Sequence, residues 1–229
     1  MRSFAFGGAL VTALAVAGGA QAALIDFTDS TEFSVGTPSA EVVTAGGVTF
    51  DITPTGGDLR FTSYDGNTCD DTTLACDLDG VGITVSDEIL GGSGEAITVM
   101  ARDGVEIDIT SLFFLDLFRK PGDSTNFETA LVEFFDKDGN AITPASVSID
   151  AGEDLGGGRA GYLQHDLSVT GVNKLVFSGV GKYGDDGSND YAVAAIAFDV
   201  TEVPLPAGAV LIGTAMAALG AFGRRKRAS

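Results

Sequence analysis

The strongest constraint on the fold is a two-residue alternation of apolar with polar or small side chains, repeated in short segments along the middle of the chain. Residues 47–53, 58–64, 96–100 and 105–110 carry it, as do 130–135, 145–149, 165–169, 174–177 and 191–200. A period of two turns one side of an extended chain to a core and the other to solvent, so each segment predicts a half-buried strand. Gly, Asn, Asp and Pro stand between them, and the chain holds 32 glycines, the natural occupants of turns with positive φ. No segment of this region keeps a helical period for more than about two turns. The expectation is an all-β fold, a β-sandwich of roughly ten strands. Residues 111–118, SLFFLDLF, are apolar almost throughout, which suits a strand buried on both faces or crossing between sheets.

The two ends obey different rules. Arg2, an apolar run over 4–17 and Ala20-Gln21-Ala22 form a signal peptide, residues 1–22, with an A-x-A site that predicts a mature chain starting at Ala23. At the other end, Val203-Pro204-Leu205-Pro206-Ala207 opens an uncharged run to Phe222, followed by Arg224-Arg225-Lys226-Arg227. As a hydrophobic helix, residues 207–222 extend about 24 Å, short of the ~30 Å hydrocarbon core. Basic residues stay cytoplasmic, which puts residues 23–202 outside. This order of pentapeptide, short hydrophobic helix and basic tail, residues 203–229, resembles the VPLPA-CTERM sorting signal, a variant of the PEP-CTERM signals of Gram-negative bacteria. The resemblance implies an exported protein, held transiently in the inner membrane with its C-terminus cytoplasmic. It further implies cutting by an exosortase and delivery to the cell surface or extracellular matrix. An ordinary single-pass anchor is the alternative, with the same orientation.

Residues 23–202 are enough for one domain with a substantial core, and no linker divides them. Five of the 13 basic residues lie in the terminal segments and all 32 acidic ones in between, leaving the domain a net charge of −24. Such a surface repels nucleic acid and anionic lipid; it attracts divalent cations, and it also keeps an exported protein soluble. The closing pattern, residues 170–177, then 185–190, then 191–200, is similar to the end of jelly-roll modules related to galactose-binding and carbohydrate-binding domains. That resemblance implies a last strand lying beside the N-terminal strands, and it assigns no sugar.

Cys69 and Cys76 are separated by six residues in a loop of Asp, Thr and Gly. In an exported chain this spacing predicts a disulfide closing a short loop, since zinc would need four ligands where the chain offers two cysteines and one histidine. Asp77, Asp79, Asp87 and Glu88 follow, and Asp185 and Asp190 flank the loop before the last strand. Calcium takes six to eight hard oxygen ligands from adaptable loops, which makes these six the candidate ligands. The EF-hand spacing fails, because the fifth position from Asp77 is Val81, and solvated acidic loops remain the competing reading. Residues 136–140, DKDGN, read first as a hairpin turn.

Catalytic candidates are absent from these readings. His165 stands alone on a strand with Asp166 directed to the opposite face, and neither a G-x-S-x-G elbow nor an H-E-x-x-H pair occurs. The chain has no Trp and four Tyr, few stacking platforms for sugar rings. The expectation is therefore a non-enzymatic surface or matrix protein with a structural or adhesive role, its acidic loops open to calcium or simply solvated. The alternative is a carbohydrate-binding module for matrix polysaccharide.

Overall fold

The computed structural model describes residues 22–64, 73–83, 87–119, 127–154, 161–180 and 190–200. The predicted signal peptide through Gln21, the predicted sorting signal at 203–229, Cys69 and Asp185 lie outside the described residues. In chain order the strands begin with β1 (Ala22–Asp26), β2 (Glu41–Ala45), β3 (Val48–Thr55), β4 (Leu59–Arg60) and β5 (Gly82–Ile83). They continue with β6 (Ala96–Ala101), β7 (Ile107–Leu115), β8 (Phe118–Arg119), β9 (Thr129–Phe135) and β10 (Ala141–Asp150). The last are β11 (Glu153–Asp154), β12 (Leu163–Val172), β13 (Lys174–Gly179) and β14 (Ala192–Val200). A 3-10 turn at Arg102–Gly104 joins β6 to β7. Among the described residues no helix is long and apolar enough to cross a membrane.

Two antiparallel sheets, ordered β1-β14-β7-β12 and β10-β9-β13-β6-β3-β2, make a β-sandwich. The alternation read in the sequence is what closes it. In β3, Val48, Phe50 and Ile52 are buried while Thr49 and Asp51 are half-exposed; in β9, Ala130, Val132 and Phe134 are buried between half-exposed neighbours. Their apolar sides meet Ile107, Ile109, Leu112 and Phe114 of β7 and Ile196 and Phe198 of β14 in one core. Aromatic edges lock the contact: Phe50 meets Phe198 at 5.2 Å and 72°, and Phe114 meets Tyr191 at 5.6 Å and 73°. Such edge-to-face pairs add about 0.5–1.5 kcal/mol each beyond burial. The last strand, β14, pairs along β1 from Ala22↔Asp199 to Asp26↔Ala195, so the chain closes beside its beginning.

The apolar run at 111–118 has a physical reason. A bulge shifts the register of β7 against β14 between Ser111 and Ile109, and Leu112 and Phe114 then face the main core. Phe113 and Leu115 point to the other side, where Leu74, Tyr162, Ala192, Ala194 and Ala195 cover them in a second cluster. This end of β7 is thus buried on both faces.

Residues 136–140 form the expected turn between β9 and β10. The Asp136 carboxylate accepts the backbone N–H groups of Asp138 (2.9 Å) and Asn140 (2.8 Å), and Gly139 takes φ 82°. The Asn140 side-chain amide first, and then those backbone bonds, hold the Asp136 carboxyl below the usual carboxylate range.

Candidate functional site

Four carboxylates converge at one end of the sandwich. Glu88 reaches it on an extended segment that doubles back on β5: Asp87 N–H donates to the Ile83 carbonyl (3.2 Å) and Ile83 N–H to the Glu88 carbonyl (3.1 Å). Gly82 permits that approach, since a Cβ there would lie 1.8 Å from the Asp87 carbonyl oxygen. Ile89 N–H then donates to the Tyr191 carbonyl at 2.8 Å, which draws Glu88 alongside Asp190. Tyr191 is fully buried and its hydroxyl donates to the Ser178 carbonyl at 2.9 Å, anchoring the start of β14.

Asp116 occupies the turn after β7 with φ 56°, a left-handed conformation that Asp tolerates better than most residues. Glu128 precedes β9 and is 5% exposed. Its backbone N–H donates to the Phe118 carbonyl at 2.9 Å, and its carboxylate accepts the Phe118 N–H in return. Two segments of the chain are therefore clamped around one acid.

The Asp190 side chain hydrogen-bonds both Glu88 and Glu128, and the charge of Asp116 acts on both. Desolvation first, then the neighbouring acids, drive the Glu88 carboxyl far above the usual carboxylate range. Glu128 is pushed up to about 9, again chiefly by burial, with the Phe118 N–H opposing the shift. None of the leading influences on either group is a cation. Carboxyl groups in hydrogen-bonding contact must share protons or be bridged by a cation, because bare carboxylates there repel. Among the described residues, no group of three or more His, Cys, Asp or Glu is arranged so that it could hold a metal ion.

The six predicted ligands divide. Glu88 and Asp190 come together, and Asp87 adds to the field on Glu88. Asp77 is held elsewhere, its carboxylate accepting the Ser30 hydroxyl at 2.8 Å and its N–H donating to the Thr28 carbonyl at 3.0 Å. Asp79 N–H donates to the Thr62 carbonyl at 3.2 Å, and neither Asp77 nor Asp79 figures among the acids acting on Glu88 or Glu128. Asp116 and Glu128 were not foreseen. Their one sequence signal is an acid set in or beside an apolar run, FFLDLF and NFETALVEF, where burial without a partner is costly.

Around Asp77, the Asp26 carboxylate accepts Thr28 N–H (2.9 Å), the Thr28 hydroxyl (2.6 Å) and Ala75 N–H (2.8 Å). The Thr28 hydroxyl oxygen in turn accepts Cys76 N–H at 2.9 Å, and Thr28 is fully buried. These bonds fasten the cysteine segment to the turn after β1. Cys76 is not a free thiol. His165 and Asp166 point to opposite faces of β12 as expected, Asp166 accepting the Ser111 hydroxyl at 2.8 Å.

No family model and no curated protein matches the chain. Among solved structures, similarity extends to an exo-β-1,3-galactanase from Phanerochaete chrysosporium with galactose: 19% identity, 70% of this chain, 29% of that one, TM-score 0.34. It extends also to an isomalto-dextranase of Arthrobacter globiformis complexed with panose: 14% identity, 79% of this chain, 32% of that one, TM-score 0.35. The enzymatically active domain of bacteriophage CBA120 tailspike protein 4 follows at 14% identity, 66% of this chain, 18% of that one, and TM-score 0.26. The chain spans less than a third of the first and second of these and less than a fifth of the third.

Proposed function

We propose that this chain is an exported surface or matrix protein whose β-sandwich has a structural or adhesive role and whose carboxylate end is set by calcium. The carrying observation is the contact of Glu88, Asp190 and Glu128, with Asp116 beside them. Calcium supplies two positive charges to a hard-oxygen site, displaces the shared protons and fixes the segments at 87–89, 116, 128 and 190 together. Export rests on the A-x-A site and on the tail from Val203 to Arg227, with an exosortase as processing partner. The jelly-roll type of sandwich belongs to the same reading, supported by the return of β14 to β1. So does the disulfide of Cys76 with Cys69, in keeping with an oxidising compartment.

Calorimetric titration of the exported protein with calcium, and then with acidic exopolysaccharide, tests this reading. Saturable calcium heat, a melting temperature that falls in EDTA and no heat with glycan are expected. An EDTA-independent melting temperature overturns the calcium proposal, and saturable glycan heat establishes the carbohydrate-binding module instead.

A further inference from the structure

The outer face of the four-stranded sheet carries a like-charge pair at the end where β1 begins. Asp199 of β14 lies directly opposite Asp108 of β7, so both carboxylates share one face about 5 Å apart at Cβ. Ala22 is the next residue in that row, opposite Asp199. Among the described residues no lysine or arginine forms an ion pair with either acid, and Gly171 N–H donates to Asp108 at 3.0 Å. Like charges directly opposite across strands are destabilising.

Resting on the processing proposed above, we infer that removal of the signal peptide after Ala22 creates the missing cation. Hydrolysis of the Ala22–Ala23 amide consumes one water, leaves a carboxylate on the departing peptide, and leaves on Ala23 an amine that takes up a proton. Ala23 stays in register opposite Phe198, so its ammonium lies beside Asp199 and one strand from Asp108. The new terminus is held in place: Ala23 packs on the core, and a Cβ on Gly46 would approach the Ala23 methyl to 2.6 Å. The acids facing it come from β14 and β7, while the turn between β2 and β3 presents only Gly46 and Gly47. Cleavage thus completes the electrostatics of the sheet as well as releasing the chain.

The full chain is expressed for export and its product sequenced from the N-terminus. A start other than Ala23 removes the processing reading itself. With Ala23 confirmed, the pH dependence of α-amine acylation gives the ammonium pKa. The expected value lies roughly half a unit above the ordinary ~8, falling back in Asp199→Asn. Asp108→Asn, one strand further away, lowers it less and serves if Asp199→Asn does not fold. An unchanged pKa in a folded variant of either kind overturns the inference.

Discussion

At the residue scale, the buried polar groups carry the sharpest consequences. Asn173 is 7% exposed, and its side-chain amide donates to the carbonyls of Ala101 (2.9 Å) and Val105 (2.7 Å). It therefore ties the start of β13 to both ends of the Arg102–Gly104 turn. Asn173→Ala leaves two carbonyls without that donor, and chemical denaturation should register a loss of roughly 1–3 kcal/mol. Glu128 makes a different prediction. Its folded pKa, about 9, lies above the unfolded carboxylate value of 4.5, so the protonated form favours folding. That contribution is fully present below pH 4.5 and is lost as pH rises to about 9. In EDTA the melting temperature should fall across this window, and Glu128→Gln, which cannot ionise, should flatten the fall. A slope identical in the two proteins counts against Glu128 as its source.

At the scale of elements, the segment at 87–89 is placed by a close approach rather than by a strand of its own. Gly82→Ala drives a methyl group into the Asp87 carbonyl, so the doubling-back at Ile83 and Glu88 must open. A loss of about 1–3 kcal/mol in stability is expected, with a weaker calcium response. Normal calcium affinity in that variant would show that Glu88 needs no such placement. The strands themselves were largely legible: residues 47–53 and 145–149 predicted β3 and part of β10, because alternation reports half-burial directly. The 58–64 segment yielded only Leu59–Arg60 plus isolated bridges at Phe61 and Ser63, since its partners are short loop segments. The edge strands β1 and β2 escaped notice as runs of five residues whose role is set by neighbours far along the chain.

At the scale of the whole molecule, the topology assembles what spacing could not. Glu88, Asp116, Glu128 and Asp190 come from four connections at one end of two sheets, and nothing local in the sequence announces that Asp190 will meet Glu88 and Glu128. Spacing therefore singled out Glu88 and Asp190 but grouped them with Asp77 and Asp79, which the fold holds against Thr28 and Thr62. Four of the domain's acids share that end, Glu128 buried and Glu88, Asp116 and Asp190 half-buried. If calcium organises that end, its binding must expel the protons that the cluster otherwise shares. The direct measurement is proton release on adding calcium to the metal-free protein near pH 7. Saturable release that is reduced in Glu128→Gln is predicted, whereas calcium addition without proton release would contradict a calcium site at this cluster.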